Sequence, residues 1–153
     1  MLKLIKFDIL NENHLSLQKR IINDLEIQNN VITLNHADNN TYVINVDSLN
    51  VGMVKINKEL NECYSIDIGI LSEYRNNKYG TKTFNEIENV LKESWKKIIL
   101  RTSSDNKSLI TSAHNSGFSF DIDETEKALE EGIGCIVLSK QNINYKIKSK
   151  IKT

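Results

Sequence analysis

Leu71-Ser72-Glu73-Tyr74-Arg75-Asn76-Asn77-Lys78-Tyr79-Gly80-Thr81 separates two segments of different period. Before it, Tyr64, Ile66, Ile68 and Ile70 alternate with Ser65, Asp67 and Gly69, the two-residue repeat of a half-buried strand. After it, Phe84, Ile87, Leu91 and Trp95 recur at three and four residues, the repeat of an amphipathic helix over Thr81 to Trp95. A strand that passes through such a turn into a helix puts unpaired N–H groups and a positive dipole end beside Arg75 and Lys78. The turn is therefore a candidate phosphate site, and Gly80 is expected to let a ligand approach where a Cβ would clash. It is not a Walker loop, because Gly80-Thr81-Lys82 has the wrong order and lacks the upstream glycine.

Outward from this point, the pattern predicts a strand over Leu2 to Phe7. A helix over Asn13 to Leu25 follows, capped at Asn11 or Asn13, with Leu17, Ile21, Ile22 and Leu25 on one stripe. A second short helix near Glu26 to Asn35 fits the interval that follows. Thr41 to Asp47 and Val51 to Ile56 are β-branched runs separated by Ser48-Leu49-Asn50, so with Tyr64 to Leu71 they read as three consecutive antiparallel strands. Lys97 to Thr102 is a further strand, and Ser103 to Asn106 caps a short helix that stops at Gly117. Phe118 to Ile122 and Ile133 to Ser139 complete the set. The fold class is α/β, a mixed sheet with helices on both faces.

The 153 residues make one domain, and 20 basic against 20 acidic side chains give no net field for sequence-independent nucleic-acid binding. Residues 144–153 hold four lysines and no acid, which leaves 16 bases against 20 acids in residues 1–143. No apolar run is long enough to span a bilayer, and Met1 to Leu10 is too short and too charged for a secretory signal, so neither membrane nor export is expected and the chain reads as cytoplasmic. Cys63 and Cys135 stand apart in apolar runs, and His14, His36 and His114 share no ligand spacing. Buried reduced thiols are expected, and no metal.

The stretch from Leu71 to Thr81 resembles the acetyl-CoA signature of the GNAT N-acetyltransferase superfamily, an apolar strand end followed by a Pro-Glu-Tyr-Arg-Gly-Lys-Gly-Tyr-Gly-Thr type of turn. Asn106 to Gly117-Phe118 resembles the family's second motif, an Asn-initiated helix ending in Gly-Phe, and element order agrees from the first strand to about Lys140. The resemblance implies a central, mostly antiparallel six- to seven-stranded sheet with splayed fourth and fifth strands. It also implies a single GNAT-like domain over residues 1–142, and acetyl-CoA as acetyl donor for transfer to a primary amine. Two departures stand out. Ser72 replaces the usual Pro and Lys78 the first Gly of Arg-x-x-Gly-x-Gly, and Ala113 stands where many members carry the tyrosine that protonates the departing thiolate. These departures also fit a second reading, a GNAT-shaped module that binds CoA without transfer.

By resemblance the cofactor is held by backbone groups of Ile68, Ile70 and Leu71, by the turn Arg75, Asn76, Asn77, Lys78, Tyr79, Gly80 and Thr81, and by Asn106 at the pantetheine arm. Asp67, an acid in mid-strand, is the leading candidate for the base, with Glu62 second; the plainer role for Asp67 is to cap a turn or pair with a lysine. Ser112, His114 and Tyr64 are the conceivable acids, and solvent is another. Asp121 to Glu131 holds six acids and only Lys127, and is read as an acidic connection near the acceptor mouth that would favour a cationic amine: a polyamine, a lysine or a peptide N-terminus.

From Ile143 to Lys152, Ile143, Tyr145, Ile147, Ser149 and Ile151 alternate with Asn144 and four lysines. The segment 143–153 is thus a basic tail or a strand that adds to a sheet edge, on its own subunit or exchanged with a second copy in a homodimer.

Overall fold

The computed structural model describes residues 1–26, 34 and 37–145. It contains strands β1 (Leu2–Lys6), β2 (Thr41–Val46), β3 (Leu49–Lys58), β4 (Cys63–Ile70), β5 (Lys97–Thr102), β6 (Ser119–Phe120) and β7 (Ile136–Gln141). The helices are α1 (Glu12–Glu26), α2 (Tyr79–Leu91), α3 (Lys107–Asn115) and α4 (Ile122–Glu130). The strands form one sheet in the order β1-β2-β3-β4-β5-β7-β6, antiparallel except where β4 lies beside β5. The expected mixed sheet is present, with seven strands.

A parallel neighbour requires a crossover, and α2 supplies it. The β4–β5 pairing runs only from Cys63 with Lys97 to Ile66 with Leu100. Beyond that, β4 continues to Ile70 against β3 while β5 continues to Thr102 against β7, so the strands part into a wedge whose apex is flanked by Asp67 and Arg101. The backbone orientation in this wedge follows from one bond. Leu71 N–H donates to Val51 O at 2.9 Å, so odd-numbered residues of β4 turn their polar groups to β3 and even-numbered ones turn theirs toward β5. Past the last pair, Ile68 and Ile70 therefore face open space.

Helices cover both faces. On one, Phe84 and Ile87 of α2 and Ala113 of α3 pack on Ile44, Val54, Ile66, Ile68, Ile98 and Leu100. On the other, Leu17 and Ile21 of α1 pack on Val43 and Met53, while Ala128 of α4 packs on Ile99 and Val137. Asn11 caps α1, its Oδ1 accepting from the N–H of Asn13 at 2.9 Å and of His14 at 3.3 Å.

Several boundaries differ from the sequence reading, among them the last strand, expected over Ile133 to Ser139 and found as Ile136–Gln141. The β2–β3 turn is the two residues Asp47-Ser48, both at positive φ (48° and 72°), so β3 starts at Leu49. Helix α2 begins at Tyr79 and ends at Leu91; Trp95 lies after it, 3% exposed, and joins the core from the connection to β5. The strand expected over Phe118 to Ile122 is only Ser119–Phe120, because Asp121 caps α4 by accepting the Glu124 N–H at 3.1 Å. At the C-terminus, Ile143 to Tyr145 are helical where a strand was expected, and Asn142 Oδ1 accepts the Asn144 N–H at 3.1 Å like a cap. The remainder of that segment, residues 146–153, and all of the short helix expected near Glu26 to Asn35 except Glu26 and Leu34 lie outside the described residues.

Candidate active site

The turn after β4 is built mainly from its own side chains. Asn77 Nδ2 donates to the carbonyls of Tyr74 (3.2 Å) and Arg75 (3.3 Å), and Asn76 and Lys78 take left-handed backbone conformations at φ 67° and 62°. Ser72 is tied to the end of α1 through Asp24 Oδ2, which accepts from its N–H at 3.1 Å and its hydroxyl at 3.3 Å, and Arg20 of the same helix pairs with Glu73. The first bond of α2 runs from Lys82 N–H to Lys78 O, and no side chain caps the helix. The N–H groups of Tyr79, Gly80 and Thr81 consequently have no partner within the helix.

These groups border a cleft of about 430 Å³ between the end of β4, the start of α2 and α3. Ile68 and Ile70 form its β4 side; Arg75, Asn76, Lys78, Tyr79, Gly80 and Thr81 its α2 side; Asn106, Lys107, Leu109 and Ser112 its α3 side. Among the described residues three cations and no acid line it, although the chain as a whole is neutral. Lys107, absent from the sequence-based set, follows the Asn106 cap directly and is exposed at the first turn of α3.

Of the residues assigned from the sequence, the structure brings Ile68, Ile70, the turn and Asn106 to this cleft. Asn106 caps α3, its Oδ1 accepting the Leu109 N–H at 3.3 Å, which leaves its amide N–H groups for other partners. Asn77 braces the turn from outside the cleft. Leu71 does not face it: its N–H is spent on Val51, its carbonyl accepts from Tyr74, and its side chain is buried against α1. The Ile70 carbonyl is engaged by Arg75 Nε at 3.0 Å. Open to a ligand are thus the N–H and C=O of Ile68 and the N–H of Ile70. Gly80 also has a packing role. A Cβ on it would lie 2.8 Å from Ser112 Oγ, so the glycine permits α2 to approach α3.

The catalytic candidates divide. Asp67 sits half-buried at the wedge apex, on the sheet face opposite the cleft, and accepts a hydrogen bond from Asn57 Nδ2 at 3.0 Å. Glu62 lies beyond the other end of β4 and is 3.8 Å from Lys58 Nζ. Among the acid candidates, Ser112 lines the cleft, Tyr64 is buried in the core and His114 is exposed elsewhere on α3. Ala113 is fully buried. Two phenols the sequence reading did not consider as acids, those of Tyr74 and Tyr79, line the cleft.

The acidic segment Asp121 to Glu131 is not a loop at the mouth but mostly helix α4. Asp121 binds Lys97 Nζ at 2.9 Å and Ser139 Oγ at 2.8 Å, and Glu124 is 3.9 Å from the same lysine. Burial alone would raise the Asp121 carboxyl. The Glu124 N–H, Lys97 and Ser139 outweigh it and hold the group below the ordinary carboxylate range. Among the described residues no cluster of three or more His, Cys, Asp or Glu is arranged to hold a metal, and no helix is long and apolar enough to cross a membrane.

The sheet is splayed at its parallel pair and a cationic cleft runs along the parting strand, a shape and charge suited to an extended anionic ligand. The profile of the Acetyltransferase (GNAT) family matches residues 7–118, and the chain belongs to that family. Its fold is similar to an acetyltransferase of the GNAT family from Bacillus anthracis (12% identity, TM-score 0.68, over 92% of this chain and 94% of that one). It is also similar to Campylobacter jejuni N-acetyltransferase PseH, solved with acetyl coenzyme A (14% identity, TM-score 0.61, over 93% and 99%). N-acetylglutamate synthase from Neisseria gonorrhoeae, solved with coenzyme A and N-acetyl-glutamate, is similar at 11% identity and TM-score 0.69 over 92% of this chain, which spans 35% of that synthase. At these identities the likeness is one of fold. No curated protein matches the sequence.

Proposed function

We propose that the protein transfers the acetyl group of acetyl-CoA to a primary amine. The observation that carries this is the cleft itself: three cations and no acid, the unpaired N–H groups of an α2 terminus, and the free edge of β4 at Ile68 and Ile70, all in continuity. Phosphates suit the first two, and an extended amide-bearing arm suits the third as an added strand would. Acetyl-CoA supplies an activated thioester. Arg75, Lys78 and Lys107 neutralise its phosphates, and Asn106 offers its amide N–H groups to the pantetheine carbonyls.

At the wedge apex Asp67 accepts a proton from the ammonium form of the acceptor, directly or through water, so that the neutral amine attacks. The N–C bond forms as the C–S bond breaks, the acylated nitrogen gives its remaining extra proton to solvent, and N–H groups of β4 stabilise the charge that builds on the carbonyl oxygen. The leaving thiolate takes its proton from solvent or from a cleft hydroxyl; a thiol of pKa about 8.5 leaves without a dedicated acid. The absence of a side-chain acid at Ala113 is accommodated in this way, and the same residue is what favours the second reading, a CoA-binding module without turnover.

The test is release of free CoA thiol from acetyl-CoA in the presence of an amine panel, with the N-acetylated products identified by mass spectrometry. Thiol release that depends on the amine supports transfer. Tight acetyl-CoA binding with no product from any amine supports the binding module.

A further inference from the structure

On the sheet face opposite the CoA cleft, α1 packs over β3 and β4 and α4 over β7, and the wedge apex lies between them. Alternation places Asp67 of β4 and Arg101 of β5 on this face, one residue past the last β4–β5 pair. Around them stand Asn57, which holds Asp67, and Lys55, opposite Asp67 in register and 3.4 Å from Asp38. Asp67 and Arg101 thus stand on the two strands that border the opening of the wedge, on the face away from the cleft.

Arg101 is poorly occupied. Among the described residues its guanidinium has one ionic partner, Glu59 Oε1, at 3.4 Å from Nη1, and its side chain is 37% exposed. Five N–H donors make a single long contact. Glu59 shows that a carboxylate fits beside this fork, yet it engages one nitrogen, where a free carboxylate could engage two. Two of the acids of α4, Asp121 and Glu124, are held by Lys97.

We infer that the acceptor is a primary amine bearing a carboxylate a few bonds away, of the free amino-acid type, and that Arg101 selects it by pairing with that carboxylate while Asp67 takes the amine. This rests on the acetyl transfer proposed above and narrows its acceptor. The planar fork of a guanidinium matches the two oxygens of a carboxylate. A polyamine would meet Arg101 as a like charge.

The test compares the L-amino acids with their C-terminal amides, each as acceptor with acetyl-CoA, in the parent and in Arg101→Gln. A non-catalytic readout accompanies it: the shift in melting temperature that each compound gives to the CoA-saturated protein. The parent is expected to favour at least one acid over its amide by ~10-fold or more in kcat/KM, the value of about 1.4 kcal/mol for a charge-assisted pair. Arg101→Gln should collapse that ratio through KM, and acids should no longer raise the melting temperature more than amides do. Should Arg101→Gln fold poorly, Glu59→Gln serves instead; by freeing the guanidinium it should lower KM for acids about twofold or more. Transfer to amides or polyamines in preference to acids overturns the inference while leaving acetyl transfer intact. An acid-to-amide ratio unmoved by either substitution, or transfer to neither series, overturns the inference as well. Failure to bind acetyl-CoA at all would instead refute the acetyl-transfer proposal.

Discussion

A Cβ on Gly80 would stand 2.8 Å from Ser112 Oγ and 2.9 Å from Ser112 Cβ, so the first turn of α2 and the body of α3 meet at a distance only glycine allows. This contact sets the width of the cleft, because both helices line it. Gly80→Val is therefore expected to lower stability by ~1–3 kcal/mol, as overpacking does, and to weaken acetyl-CoA binding by displacing α3. Thermal melting checks it: Gly80→Ala should lose part of that stability and Gly80→Ala with Ser112→Gly should recover it. An unshifted melting temperature in Gly80→Val would mean that the helices are free to separate.

Lys78 stands at φ 62°, a conformation that costs a non-glycine residue about 1 kcal/mol. Lys78→Gly should relieve much of that cost and raise the melting temperature, while the loss of one cation lowers acetyl-CoA affinity severalfold and flattens its dependence on salt. Denaturation and binding measured on the same variant separate the two effects. Equal affinity would assign Lys78 to solvent.

Asp67→Asn keeps an acceptor oxygen for Asn57 but cannot take a proton. Turnover at neutral pH should fall by at least ~10-fold with acetyl-CoA affinity unchanged, and the acid limb of the pH–rate profile should change shape. A rate and profile like the parent's would leave the proton to water.

Asp121 is held below the ordinary carboxylate range, so its contribution to stability is complete above about pH 4 and is lost as pH falls toward its lower folded value. Melting temperature should drop as pH falls below that point. In Asp121→Asn the drop should be shallower and the melting temperature at neutral pH lower. Parallel curves for the two proteins would show that the Lys97–Asp121 link is not coupled to folding.

The strand, turn and helix around Arg75 were legible because each has a strong period or an obligate chemistry, and the Asn106 cap was legible for the same reason. Trp95 was misplaced since its spacing from Leu91 continues a helical repeat by chance, while Lys92 breaks the helix at φ 58°. Helix α4 was hidden because it buries only Thr125 and Ala128 and exposes Ile122 and Leu129, a stripe too narrow to read. Its acids looked like a loop. The roles of Leu71 and Arg101 depend on which edge a backbone group faces and where a pairing stops, and both come from register, which no local pattern encodes.

Titration calorimetry of acetyl-CoA into the parent and into Lys107→Glu tests the central claim most directly. Lys107 is exposed, and an acid in the first turn of α3 suits the helix dipole, so the variant should fold at least as well as the parent. One exposed ion pair is worth up to ~1 kcal/mol and charge reversal roughly doubles the change, so binding to the parent with about tenfold loss in the variant is predicted. No binding by the parent, or equal affinity in the two proteins, would contradict the assignment of this cleft to acetyl-CoA.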